Sequence, residues 1–169
     1  GPIEGLNCEG IPLEFIYYQS TLQAFYYFYN VTINGDYVGI EDWVGAFNGD
    51  VCVGSFQWDT SQCGSGVCAV PIMGQDGFDL TEGYMQSNDI PTFKIFDASA
   101  NVYYDAMTSE DVPWQDLGTF FIDNLNVAAD CADIPNGDAL EDMCGICDND
   151  SSNDCIQDCA GTWGGNLIN

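Results

Sequence analysis

Leu22-Gln23-Ala24-Phe25-Tyr26-Tyr27-Phe28-Tyr29-Asn30-Val31-Thr32-Ile33, followed by Asn34-Gly35-Asp36, is the stretch that decides the fold. Aromatic and β-branched side chains suit a pleated surface and lose rotamer freedom in a helix, so the run reads as a strand. Asn-Gly is the favoured two-residue hairpin signal, so the strand ends there and the chain turns back. In a strand, residues 25, 27 and 29 point one way and 26 and 28 the other, which makes both faces aromatic. A sheet with one buried face needs only one of them. Phe25, Tyr27 and Tyr29 are therefore candidates for a second layer, either covered by loops or meeting a partner chain or the rings of a sugar. Tyr17 and Tyr18 extend the same ambiguity.

The same texture runs outward from about residue 13 to 127: short β-branched and aromatic runs between Gly, Asn and Asp turns, with no long segment of helical period. Strands are expected at 13–19, 22–33, 37–47, 51–58, 67–73, 92–96, 101–106 and 118–127, with a second hairpin turn at Asn48-Gly49-Asp50. Eight strands over this length predict an all-β domain spanning 1–128, a β-sandwich of Ig-like or jelly-roll-like type. With 46% hydrophobic residues the chain can fill such a core.

The charge balance excludes whole classes of function. Twenty-seven acidic residues face one basic residue, Lys94, with no Arg and no His, for a net charge of −26. Nucleic acids and anionic membranes are bound through Lys and Arg, so neither is an expected partner, and no apolar run is long enough to span a membrane. General acid–base and oxyanion chemistry lacks its usual side chains, and no carboxylate pair stands out as a glycosidase couple, so no enzymatic activity is expected. Self-repulsion of this size favours bound hard cations, calcium first; a halophile-type solvated surface is the competing explanation but leaves the cysteines unexplained.

Nine cysteines, Cys8, Cys52, Cys63, Cys68, Cys131, Cys144, Cys147, Cys155 and Cys159, indicate an oxidising compartment and structural cross-links. The chain opens at Gly1 and reads as a processed, exported product. An odd count leaves at least one thiol free or joined between chains.

From 129 to 169 the composition shifts to Cys, Asp, Asn and Gly, too poor in apolar residues to build a core, so this tail depends on cross-links and ions. It repeats itself: Asp130-Cys131-Ala132 with Gly137-Asp138 recurs as Asp158-Cys159-Ala160 with Gly165-Asn166. Asp148, Asp150 and Asp154 have the D-x-D-x-x-x-D spacing that turns alternate carboxylates toward one point in a calcium loop, with Asp130, Asp138 and Asp142 as further ligand candidates. The sixth-position Gly and closing Glu of an EF-hand are absent. Cys144, Cys147, Cys155 and Cys159 could alternatively make a four-thiolate zinc site, although an exported acidic chain favours disulfides with calcium. In the front domain, Asp76, Asp79 and Glu82 are candidates for a second calcium site.

The tail resembles the Cys/Asp-rich repeats of form DCAGxWGGxAxxDxCGxCDxDxSxDC found in tandem in large secreted microbial proteins, which are loosely similar to thrombospondin calcium repeats; Asp158-Cys-Ala-Gly-Thr-Trp-Gly-Gly165 carries the opening. That resemblance implies a calcium-bound, disulfide-stapled spacer, with a second unit cut short before its CGxC element, so that Cys159 lacks an in-repeat partner. Glu41-Asp42-Trp43-Val44-Gly45-Ala46-Phe47-Asn48-Gly49-Asp50-Val51-Cys52-Val53-Gly54, with Gly74-Gln75-Asp76-Gly77 and Phe93-Lys94-Ile95-Phe96-Asp97, resembles a sandwich module of secreted proteins in marine and gliding bacteria. It implies an exported surface protein without catalysis. The expected function is a calcium-stabilised extracellular structural subunit, assembling head-to-tail with copies of itself into a fibre, sheath or surface layer. The alternative is a calcium-dependent carbohydrate-binding or adhesive module, with Phe25, Tyr27, Tyr29 and Trp163 as glycan contacts.

Overall fold

A computed structural model describes residues 4–166. The chain divides into two compact units, Gly1–Val127 and Ala128–Asn169. The first is mostly β: β1 (Gln23–Ile33), β2 (Asp36–Tyr37), β3 (Trp43–Asn48), β4 (Val51–Gln57), β5 (Cys68–Met73), β6 (Thr92–Asp97), β7 (Val102–Thr108) and β8 (Thr119–Val127). Helical structure among the described residues is confined to three-residue 3-10 turns. Two expected strands change. Residues 13–19 form a 3-10 turn at Leu13–Phe15, leave it extended at Ile16 and belong to no strand, and the expected 37–47 strand splits into β2 and β3 around the Val38–Asp42 loop.

The strands form one curled mixed sheet in the order β2-β1-β8-β7-β6-β3-β4, with β5 also paired to β1. The long aromatic strand is central: β5 lies antiparallel along Gln23–Phe28, and β8 runs parallel along its other edge with Phe25 opposite Thr119 and Tyr27 opposite Phe121. β7 joins two halves, pairing through residues 102–106 with Phe93–Asp97 of β6 and through Met107 and Thr108 with β8.

The inner face of the curl is the main core. Ala24, Tyr26, Phe28 and Val31 of β1 meet Val70 and Ile72 of β5, Val44 and Ala46 of β3, Phe93 and Ile95 of β6, and Ile122 and Leu125 of β8. Tyr26 buries its ring and donates its hydroxyl to the Val112 carbonyl at 2.9 Å, so no polar atom is stranded. Trp114, 2% exposed, fills the end of the core and donates its indole N–H to the Ile72 carbonyl at 3.0 Å. Closure depends on Gly54, where a β-carbon would collide with the Pro71 carbonyl of β5.

On the other side of β4, β3, β6 and β7 a second cluster forms from Phe15, Phe47, Cys52 and Phe96, with Leu6, Ile11, Tyr17, Trp43 and Tyr103 against it. The segment before β1 covers this face. Phe15 is fully buried over Gly45, whose missing side chain makes room for the ring, and the Phe15 carbonyl accepts a hydrogen bond from Ser55 Oγ at 2.9 Å. Lys94 stands over the Phe47 ring and reaches Glu14 at 3.3 Å. Phe15→Ala is expected to lower unfolding stability by about 3–5 kcal/mol, measured by guanidinium denaturation; a loss under ~1 kcal/mol would show that the segment before β1 is not part of the core.

Candidate functional site

The outward side of β1 and β8 differs from that of β3 and β6, because a row of aromatic rings there stays open to solvent. Phe25 is 37% exposed, Tyr29 51% and Phe121 54%, with Tyr27 half-buried between them. Tyr27 stacks on Phe121 at 4.7 Å between centroids and 16° between planes, and Tyr29 stacks on the same ring at 5.9 Å and 25°. The rings thus form a cross-strand ladder, each pair contributing about 0.5–1.5 kcal/mol beyond the area it covers. Sequence reading placed Phe25, Tyr27 and Tyr29 on one face and missed Phe121, whose position depends on the parallel pairing of strands some ninety residues apart. At the end of the ladder, Asn30 Nδ2 donates to the Asp123 carbonyl at 3.2 Å and Asn30 Oδ1 accepts from the Tyr37 hydroxyl at 2.8 Å. The fourth aromatic candidate, Trp163, lies in the second unit, 42% exposed in the turn that follows Asp158.

Asp76 is the best-connected carboxylate of the first unit. Its Oδ1 accepts from Thr81 Oγ1 at 2.7 Å and from the Phe78 N–H at 3.1 Å, and its Oδ2 accepts from Ser20 Oγ at 3.2 Å and the Thr21 N–H at 3.1 Å. These bonds, the one from Thr81 foremost, hold its pKa down to about 2. Both oxygens are saturated by donors, so Asp76 acts as a tie between the 20–22 and 76–81 loops. Asp79 and Glu82, the other members of the expected calcium site there, take no part in that network. A carboxylate whose folded pKa lies below its ordinary 3.8 contributes stability above that value and loses it as pH falls toward 2. Acid unfolding followed by the fluorescence of buried Trp58 and Trp114 is expected to steepen between about pH 4 and 2, and Asp76→Asn to flatten that limb; an unchanged profile would remove Asp76 from the account.

The second unit is built from one repeated turn. Asp130 Oδ1 accepts the N–H groups of Ala132 and Ile134, both at 2.9 Å; Asp142 Oδ1 accepts those of Cys144 and Ile146, both at 2.9 Å; Asp158 Oδ1 accepts those of Ala160 at 3.0 Å and Thr162 at 2.9 Å. The fourth residue of each turn has positive φ: Asp133 at 61°, Gly145 at 84° and Gly161 at 83°. A fourth copy lies in the first unit, where Asn7 Oδ1 accepts from Glu9 and Ile11 at 2.9 and 2.8 Å and Gly10 has φ 81°. The match of Asn7-Cys8-Glu9-Gly10-Ile11-Pro12 to Asp130-Cys131-Ala132-Asp133-Ile134-Pro135 was the available signal, masked by Asn in place of Asp. Gly137 and Gly165 recur because a β-carbon there would strike the carboxylates of Asp130 and Asp158.

Two disulfides staple the second unit, Cys131–Cys147 and Cys144–Cys155, and Cys63–Cys68 closes a loop before β5. Three of the four thiols of the alternative zinc site are therefore joined in disulfides. Cys8, Cys52 and Cys159, also disulfide candidates, carry free thiols. Cys52 is buried beside Phe15 and Phe47, and desolvation pushes its thiol up to about 11, which makes it inert. Cys8 and Cys159 are exposed, each at the second position of its turn, the place Cys131 holds in its own. A thiol reagent should modify two cysteines per native chain and a third only after denaturation, read by mass spectrometry; rapid labelling of Cys52 in the native state would contradict its burial.

The calcium candidates separate by what their oxygens already do. Asp142 Oδ2 accepts from the Cys155 N–H at 3.0 Å and Asp130 Oδ2 from the Ala139 N–H at 3.1 Å, so both serve the backbone; the N–H bonds from Ile146 and Ile134 foremost, with these, hold the two pKa values down. Asp148 takes the Asp150 N–H at 3.0 Å and Asn153 Nδ2 at 2.8 Å, while Asp150 uses Oδ1 for Ser152. Asp138, with Asn149 Nδ2 at 3.4 Å, Asp154 and the second oxygen of Asp150 keep acceptor capacity. Hard carboxylate oxygens in one short loop suit calcium by donor chemistry. Among the described residues, no three acidic or cysteine side chains already converge on one point.

Comparison with models of known protein families, with characterised proteins and with solved structures yields no match. No helix among the described residues is long and apolar enough to cross a membrane.

Proposed function

We propose that this chain is an extracellular adhesive module that holds a neutral glycan on the aromatic ladder of β1 and β8, carried on a calcium-stiffened, disulfide-stapled second unit. The observation that carries the reading is the uncovered ladder of Phe25, Tyr27, Tyr29 and Phe121 in a domain whose other outer face is covered by its own chain. The ladder offers both ring carbon and the phenolic hydroxyls of Tyr27 and Tyr29, so the C–H groups of a pyranose can pack against the rings while its hydroxyls bond to the phenols. Nothing basic lies on this face, since the single Lys94 is held by Glu14, and a chain of charge −26 repels anionic polysaccharides. Three disulfides accord with secretion. The curled sheet is the two-layer sandwich of the secreted module that its sequence resembles, and Asp138, Asp150 and Asp154, which keep acceptor capacity, are the calcium ligands.

A second reading, a structural subunit polymerising head-to-tail, is favoured by Cys8 and Cys159: two exposed thiols in equivalent turns could join neighbouring copies. It ranks behind the first because copies of equal charge repel unless calcium neutralises the contact.

Affinity electrophoresis through soluble neutral glucans and mannans, beside a sulfated polysaccharide, tests the first reading. Retardation by a neutral polymer, weakened about tenfold by Tyr27→Ser with Phe121→Ser, is expected. No retardation by any polymer, with large calcium-dependent and reductant-sensitive assemblies in sedimentation, would move the function to the structural reading. Chelation should also destabilise the second unit, by roughly 2.7 kcal/mol if calcium stands at a hundred times its Kd.

A further inference from the structure

A cavity of about 520 Å³ opens on the covered face of the first unit, between the segment before β1 and the strands beneath it, away from the aromatic ladder. Leu6 and the half-buried Trp43 supply apolar wall, Gln57 lies beside Trp43 as its cross-strand partner, and three carboxylates, Glu4, Glu9 and Glu41, stand around the opening. Among the described residues none of these three makes an ion pair or a side-chain hydrogen bond, unlike Asp42 next to Glu41 in the chain, whose two oxygens are taken by the N–H groups of Gly39 and Ala98. Among the described residues the single basic side chain, Lys94, is not offered to them, because it is bound to Glu14 at 3.3 Å and lies over Phe47.

We propose that this cavity receives a lysine or arginine side chain from a basic peptide or protein partner, its aliphatic stem against Leu6 and Trp43 and its charged head among Glu4, Glu9 and Glu41. The inference is independent of the glycan reading. A cation with an apolar stem uses everything the site presents: carboxylates for the charge, and an indole that attracts cations to its face and packs methylene groups. A metal ion would have no use for the indole and leucine walls and needs oxygens converging on one point, which these glutamates do not provide. A neutral sugar would leave the repulsion among the three carboxylates unrelieved. A second copy of this chain is equally unsuited, since its single lysine is already engaged.

Diffuse attraction to a chain of this charge is the effect to be separated from a site. The probe is acetyl-Lys-Ala-Lys-Ala-Lys-amide, with a norleucine peptide of the same length as its uncharged counterpart. Both are titrated into the full chain at about 0.15 M salt, where charges more than ~8 Å apart are screened, and read by the indole N–H resonances in heteronuclear NMR. The lysine peptide is expected to shift the Trp43 resonance and leave those of buried Trp58 and Trp114 in place. Glu9→Gln with Glu41→Gln should weaken binding at least about fivefold, and Glu110→Gln, which removes a charge from an exposed residue outside the cavity, less than about twofold. Trp43→Leu, which keeps an apolar wall, should weaken it as well. Equal losses from the Glu110 variant would overturn the proposal in favour of diffuse attraction. Equal binding of the norleucine peptide would overturn it in favour of a merely apolar groove, and an unmoved Trp43 resonance would remove the site.

Discussion

The close approach of β4 and β5 is the constraint on which the rest of the first unit depends. At Gly54 the two backbones come so near that a side chain would collide with the Pro71 carbonyl, and this contact brings the far ends of the strand path together without a ladder of hydrogen bonds. A sheet curled this tightly encloses its inner face, so Tyr26, Phe28, Ile72, Ile95 and Leu125 lose water at once. It also creates an outer face on each half, and the two are treated differently. Over β3 and β6 a second absent side chain, at Gly45, lets Phe15 lie flush with the strands and draws the preceding segment down as a cover. Over β1 and β8 no such notch exists, and the rings standing there cover only one another.

The acidic residues divide along a similar line. Many serve as internal acceptors for backbone N–H groups at turns: Asp42 for Gly39 and Ala98, Asp76 for Thr21 and Phe78, Asp130, Asp142 and Asp158 for the turns that each of them begins. A carboxylate used this way is a strong cap, because the charge strengthens each bond it accepts. It is also withdrawn from metal binding. Among the described residues, Asp154, the second oxygen of Asp150 and the weakly bonded Asp138 in one unit, and Glu4, Glu9 and Glu41 in the other, keep acceptor capacity for ions and cationic partners. Composition alone could not separate the two sets, since the difference lies in which N–H groups each oxygen meets.

The motifs that made the front of the chain look like a known module turn out to be architectural. Asp42, Gly45, Gly54, Gly74 and Asp76 hold loops or allow close packing, and Cys52 is a buried thiol among phenylalanines. The two proposed sites depend on residues brought in from outside those motifs: Phe121, stacked on Tyr27, and Glu4 and Glu9, which stand around the same cavity as Trp43.

Much was decided by the sequence alone. Alternation and hairpin turns are short-range properties, so the β character, the strand at β1 with its two aromatic faces, the Asn-Gly turns and the Cys/Asp-rich region beyond residue 128 were all legible, and the fixed spacing of Asp130, Gly137, Asp158 and Gly165 recorded a turn in which glycine must yield to a carboxylate. Local pattern misread residues 13–19 as a strand, because an apolar run is held as well by a notch at Gly45 as by a neighbouring strand. What only the tertiary structure decided was which aromatic face is covered, which cysteines meet and which carboxylates remain free. Each of these depends on contacts between segments far apart in the chain, Phe15 with Gly45, Gly54 with Pro71 and Tyr27 with Phe121, and the energy of such contacts resides in the packing of both partners, which neither stretch of sequence contains by itself.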